Sequence, residues 1–219
     1  SADDGVQENN LPDDLIIGFD FSEGQGATAH DMTKTGRNAL LKHTVWLNDK
    51  TFGKVLDFST ATSCATLKKS VLVGKALTIA AWMKAPPRET DYRVIASQGK
   101  SGAADYWDVK LDRSTGRFVF HSPVLQGNTN SGRKLDDGLW HHVIEHDSSG
   151  PMQIYVDGKL VKESRVTGII APGTAALTIG ACQGGRHSFD GSLARFRLFR
   201  GVKHPQDVTL IKPPGTANE

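Results

Sequence analysis

Residues 153–161 read QIYVDGKLV, two apolar strands joined by Asp157-Gly158. A two-residue type I′ turn needs positive φ at both central positions. Asp-Gly flanked by apolar strands is therefore the strongest short-range signal for a β-hairpin. The same grammar runs along the whole chain. Residues 15–21 (LIIGFDF) and 77–83 (LTIAAWM) are apolar, β-rich runs. In residues 107–111, Trp107, Val109 and Leu111 point one way while Asp108 and Lys110 point the other. Residues 117–121 (RFVFH) follow Ser114-Thr115-Gly116, a turn of hairpin type. Residues 140–146, 177–179 and 192–198 supply further strands. Only residues 205–210 (PQDVTL) read as a helical turn or two, with Pro205 suited to a first helical position. The 23 glycines punctuate nearly every connection. About a dozen short strands with regular turn signals predict an all-β sandwich or barrel.

Composition narrows the partners. Of the 219 residues, 38% are hydrophobic and spread along the whole length, enough for a packed core. The net charge of +2 mixes both signs, and no basic block points to nucleic acid. No apolar run approaches the roughly 18 residues needed for membrane insertion. Without a composition shift or an internal repeat, residues 14–211 read as one domain between tails at 1–13 and 212–219. Residues 1–10 are polar and acidic and lack a signal-peptide pattern, as expected of a mature end left after signal removal or of a boundary set elsewhere.

Four segments, in order, resemble the laminin-G-like, or concanavalin A-like lectin/glucanase, jelly-roll superfamily. Residues 18–41 (GFDFSEGQGATAHDMTKTGRNALL) look like its opening strand and Glu-Gly-x-Gly turn. Residues 76–84 (ALTIAAWMK) are similar to its tryptophan-bearing strand. Residues 136–161 (DDGLWHHVIEHDSSGPMQIYVDGKLV) resemble its Trp-His-His-Val strand and Tyr-Val-Asp-Gly hairpin. Residues 177–208 resemble its closing Ile-Gly, Phe-x-Gly and Arg-x-Phe pattern. The resemblance implies two antiparallel sheets packed face to face. It does not by itself give function, because the superfamily holds lectins, adhesion modules and polysaccharide-cleaving enzymes.

Catalysis by a glycosidase needs two carboxyl groups flanking one bond. The Glu-x-Asp-x-x-Glu strand of the superfamily's glucanases is absent. No two of the six glutamates share a strand. His142 and His146 fall on one face of a strand, with His141 and Glu145 on the other. At about 3.3 Å per residue, His142 and His146 stand roughly 13 Å apart, too far to ligate one metal. The His pair after Trp140 reads as structural. Glu145 stands where the superfamily usually has an apolar residue, which leaves a small opening for chemistry.

Binding is the better expectation. Glycan sites join aromatic faces to a few polar side chains. Trp82 and Trp140 read as core, and Trp46 as a core edge or an exposed residue. Tyr106 and Trp107 are adjacent, so one of them faces outward. Related domains form ligand sites from end loops or a sheet face, which points to Tyr92, Asp105, Tyr106, Trp107, Arg186 and His187. The resemblance also implies a structural calcium, for which Asp20, Asp31 and Asp190 are the candidate ligands. Relatives often carry acids where Ala194 and Arg195 stand, so a metal liganded from that strand would lose its ligand here.

Cys64 and Cys182 are too few for a zinc site on their own. They either form a disulfide in an oxidising compartment or remain apart as small hydrophobes. Features that suggest secretion favour the bridge.

The expected protein is a non-catalytic secreted, periplasmic or cell-surface module that binds a glycan or polysaccharide. The alternatives are a protein-binding or adhesion module of a larger surface protein, and a polysaccharide-cleaving enzyme with an atypical site.

Overall fold

A computed structural model describes residues 11–67, 71, 76–88, 91–127, 130–147 and 151–211, without the side chains of 144–147 and 209–211. Of the expected tails at 1–13 and 212–219, residues 1–10 and 212–219 lie outside that set, as do the side chains of Glu145 and His146. In chain order the strands are β1 (Leu15–Phe19), β2 (Thr28–Ala29), β3 (Ala39–Lys42), β4 (Val45–Asp49), β5 (Gly53–Asp57), β6 (Cys64–Leu67), β7 (Leu77–Lys84), β8 (Arg93–Gln98), β9 (Trp107–Leu111), β10 (Arg117–His121), β11 (Asn130–Lys134), β12 (Trp140–Asp147), β13 (Met152–Val156), β14 (Lys159–Ser164), β15 (Leu177–Ile179) and β16 (Ser192–Arg200). Residues Pro205–Ile211 form a short 3-10 helix.

The strands make two antiparallel sheets. One runs β14-β13-β12-β7-β16-β5-β4, with β1 also paired to β16. The other runs β11-β10-β9-β8-β15-β6-β3-β2. Alternation along each strand sends every second side chain inward. Ile79, Ala81 and Met83 of β7 meet Trp107, Val109 and Leu111 of β9 and Phe118 and Phe120 of β10 in one core. This is the two-sheet sandwich that the family resemblance implied, and one of the two architectures, sandwich or barrel, that the strand pattern allowed. The Asp157-Gly158 turn has φ of 52° and 79°, as a type I′ hairpin requires.

Trp82 and Trp140 correct the expectation that they belong to the main core. Both point outward from the first sheet and pack beside Phe52, Val55 and Ala194 in a satellite cluster. The reason is register. Met83 and Val143 take the inward positions, so their neighbours Trp82 and His142, paired across β7 and β12, face out. Trp46 packs at the core edge and donates its indole N–H to the Gly26 carbonyl at 3.0 Å.

A buried ion pair fixes the strand that leads into the candidate site. Arg93, the first residue of β8, places Nη2 2.6 Å from Oδ2 of Asp136. Arg93 also donates to the Pro86 carbonyl at 2.7 Å, and the Arg88 N–H donates to the same Asp136 oxygen at 3.2 Å. Gly116 (φ 61°) is required beside it, because a Cβ there would come within 2.0 Å of Asp136 Oδ1. Removing one partner of such a pair leaves an uncompensated buried charge. Asp136→Ala is therefore expected to lose about 3–5 kcal/mol of stability. Urea unfolding should show the midpoint drop, with a much smaller loss when Arg93 and Asp136 are both replaced by apolar residues of similar volume.

Candidate functional site

The outward side of the second sheet holds a cavity of about 660 Å³. Its floor comes from the alternation of three neighbouring strands. Val94 of β8, Asp108 and Lys110 of β9, and Val119 and His121 of β10 all line it. Their inward neighbours Val109, Phe118 and Phe120 are core. The rim comes from loops. Gly99, Lys100, Ser101 and Tyr106 enclose one part, and Cys182, Gln183, Arg186 and His187 another, with Tyr92 beside them.

Glycine shapes both loops. Gly99 (φ 85°) passes so close to Asp105 that a Cβ would lie 3.0 Å from its carbonyl oxygen. Gly185 (φ 80°) has the Thr62 carbonyl oxygen only 2.5 Å from where a Cβ would sit. The second loop is closed by Cys182 N–H donating to the Arg186 carbonyl at 2.7 Å, and tied to β8 by Val94 N–H donating to the His187 carbonyl at 3.0 Å.

Asp108 organises the floor. Its carboxylate is almost fully buried, yet it accepts from the Tyr106 hydroxyl. Lys110 Nζ lies 3.0 Å from one oxygen and His121 Nδ1 lies 3.5 Å from the other. Burial alone would raise its pKa. The His121 hydrogen bond, the Lys110 charge and the Tyr106 hydroxyl outweigh burial and hold it below the ordinary carboxylate range. Tyr106 is pushed far up by burial and then by the Asp108 charge, so it remains a phenol. Burial likewise raises Cys182, whose Sγ lies 3.5 Å from the Tyr106 hydroxyl, so it remains a thiol.

At the rim, Lys110 Nζ sits 4.7 Å and Arg113 Cζ 5.3 Å from the Tyr92 ring centroid. His187 meets the same ring edge-on at 6.1 Å and places Nδ1 2.9 Å from Asp91 Oδ2. Burial would raise Asp91, but the His187 bond and the Tyr92 N–H lower it.

Of the six residues expected to bind ligand, Tyr92, Tyr106, Arg186 and His187 come together at this cavity. Trp107 is a correction. Its ring is 1% exposed, stacks on Phe120 and donates to Gln98 Oε1 at 3.1 Å, so no sugar reaches it. Asp105 is a second correction. It does not line the cavity, and its carboxylate instead lies against Gly173. Sequence reasoning did not single out Asp108, Lys110 and His121 as site residues. Alternation had already placed Asp108 and Lys110 on the face away from the core, and that was the available signal.

Asp20, Asp31 and Asp190 do not assemble into one cation site. Asp20 pairs with Arg197 and Asp190 with Arg88 at 2.8 Å. Asp31 accepts from Gly18, Thr33, Thr35 and Arg37 at 2.5–3.2 Å. Each carboxylate is already matched by protein donors. No group of three His, Cys, Asp or Glu able to hold a metal occurs among the described residues.

Cys64 and Cys182 are free thiols, which corrects the expected bridge. Ala65 pairs with Ile179, so Cys64 stands opposite Gly180 rather than Cys182. The Cys64 sulfur instead receives the Thr66 hydroxyl at 3.8 Å.

The His pair binds the hairpin. His141 spans two acids, with Nδ1 2.9 Å from Asp157 and Nε2 3.1 Å from Asp137. The Asp157 bond raises its pKa despite burial. Asp157 also accepts the His142 N–H at 2.9 Å. The His142 ring stacks on Trp82 at 5.0 Å, and its Nε2 has no hydrogen-bond partner among the described residues. Burial holds its pKa down at about 4.

Two packed antiparallel sheets with a walled cavity on one outward face define a jelly-roll sandwich. The chain belongs to the concanavalin A-like lectin/glucanases superfamily, whose family model matches residues 59–209. No curated protein sequence matches it significantly. Domain 4 of AbnA, a GH43 extracellular arabinanase from Geobacillus stearothermophilus solved with arabinotriose, is similar with a TM-score of 0.67 at 16% identity, covering 89% of this chain and 96% of that one. The receptor binding domain of botulinum neurotoxin type G gives 0.60 at 13% identity, covering 89% of this chain and 50% of that one. Trypanosoma rangeli sialidase in complex with sialic acid gives 0.61 at 13% identity, covering 91% of this chain and 33% of that one. At these identities the likeness shows the fold. No helix among the described residues is long and apolar enough to cross a membrane.

The two histidines set opposite pH limits. An unfolded His142 takes up a proton below about 6.5, while the native ring stays neutral to about 4. Stability should therefore fall as pH drops through that window, by on the order of 3 kcal/mol in total. His141, raised in the fold, contributes stability that is complete below its ordinary value and is lost as pH rises through the native one. Chemical unfolding from pH 4 to 8 should show the acid loss in the wild type and a flatter acid limb in His142→Phe.

Proposed function

We propose that the protein is a non-catalytic glycan-binding module and that the cavity on the second sheet is its binding site. The observation that carries this is the cavity itself. At about 660 Å³ it has the size of a small-molecule site. Its floor mixes the apolar Val94 and Val119 with polar Lys110 and His121, and Tyr92 stands at its rim. That combination suits a sugar, which offers one apolar face and a ring of hydroxyls. The arabinotriose bound to the arabinanase domain and the sialic acid bound to the sialidase are in keeping with it. A role outside the cytoplasm is in keeping with the extracellular arabinanase.

The carboxyl groups favour binding over cleavage. Asp108 within β9 and Asp112 just after its end stand four residues apart, or roughly 13 Å along an extended chain. Glycosidase pairs stand about 5–9.5 Å apart. Asp108 is also kept ionised by its donors, and Tyr106 and Cys182 are kept protonated. None of the three is poised to exchange a proton near neutral pH.

One observation favours protein binding as a second reading. Val45 and Leu47 are 46% and 41% exposed on β4, which is the last strand of its sheet. An added strand could pair there.

A glycan array followed by calorimetry separates the two. Val119→Trp fills the cavity floor without touching the core. It is expected to lower glycan affinity at least tenfold with an unchanged melting temperature. Wild-type affinity in that variant, or binding abolished only by Leu47→Lys on the sheet edge, would move the site away from the cavity.

A further inference from the structure

The charges at the cavity are unequally committed. Asp108 is matched by Lys110, with Nζ 3.0 Å from its oxygen. Asp112 caps its own turn, where one oxygen accepts the N–H and hydroxyl of both Ser114 and Thr115 at 2.9–3.2 Å. Asp91, next to Tyr92, receives His187 at 2.9 Å. The acids in and beside the cavity thus already hold protein donors. The cations do not balance them. Lys100 and Arg186 both line the cavity and both are exposed. Neither side chain forms a hydrogen bond or ion pair with a described residue. The two come from separate loops whose paths Gly99 and Gly185 constrain, so two uncommitted positive groups are held at one cavity by the backbone.

We propose that the cavity selects sugars bearing an oxyanion, a carboxylate or a sulfate ester, with Arg186 and Lys100 as the groups that read it. This rests on the glycan-binding assignment of the same cavity and adds the ligand class. The guanidinium fork of Arg186 matches two oxygens of such a group, and Lys100 adds a point charge. A neutral sugar leaves both cations without a counter-charge. Its hydroxyls would also compete for the Asp108 oxygens, which Tyr106, Lys110 and His121 already occupy.

The test uses the full chain and four probes in calorimetry: a trigalacturonate, its methyl ester, a sulfated galactose disaccharide that contains no uronic acid and its desulfated form. At least one acidic probe is expected to bind tenfold or more tightly than its neutral counterpart, and which one does so distinguishes carboxylate from sulfate. Arg186→Gln and Lys100→Gln should each reduce that preference severalfold while leaving the melting temperature unchanged. Raising the salt from 50 to 500 mM should weaken the acidic probe alone, roughly as screening of exposed charges predicts. Equal binding of acid and neutral probes, unaffected by Arg186→Gln, overturns the selectivity and leaves glycan binding standing. Binding of no glycan, acidic or neutral, on these probes and on the array overturns both.

Discussion

A carboxylate with 2% exposure has to be compensated, and the compensation of Asp108 shapes the cavity around it. The Tyr106 hydroxyl, Lys110 and His121 converge on Asp108 from the loop and from two strands. The aliphatic stem of Lys110 is thereby held along the floor, and its ammonium lies over Tyr92. Tyr92 in turn meets His187, which ties the loop after β15 to the loop before β8. One buried charge therefore organises four aromatic or imidazole rings, Tyr106 and His121 directly and Tyr92 and His187 through Lys110. The rest of the rim, including Lys100 and Arg186, is left free to face solvent.

The sandwich beneath is conventional physical chemistry. Alternating strands send Trp107, Phe118 and Phe120 into the core, and the same alternation sends Asp108, Val119 and His121 out. Core and site are thus two sides of the same three strands. A register slip of one residue would exchange them, so the core fixes the site. The Trp107 bond to Gln98, whose amide also donates to the Val71 and Ala175 carbonyls at 2.6 and 3.0 Å, pins β8 to β9 in the register that keeps them apart.

Much of the fold was legible because its signals are local. Asp157-Gly158 announced its turn, and β9 and β10 announced their faces. Other strands carry no such signal. β8 (RVIASQ) is buried along its whole length, so it shows no alternation. β11 (NSGRK) has no apolar residue at all and is a strand only because β10 lies beside it. The site was legible in part for the same reason. Tyr92, Tyr106, Arg186 and His187 were findable as unusual loop residues. Trp107 was misplaced because the choice between two adjacent aromatics depends on which face the sheet buries. Trp82 and Trp140 were misplaced because a large apolar side chain on a strand can pack under a loop as well as in the core. The cysteine pairing depended on a two-residue offset in a ladder that the sequence does not display.

The free thiols carry a consequence for how the chain is assembled. With no covalent staple between Cys64 and Cys182, β6 and the end of β15 are joined within the second sheet by their hydrogen-bonded ladder and by core packing alone. The folded form therefore asks nothing of an oxidant or a disulfide isomerase. A denatured chain has its whole route back to the native state open in reducing buffer. Any crosslink formed between these sulfurs while the chain is open would be a trap, because it would force a register that β6 and β15 do not adopt.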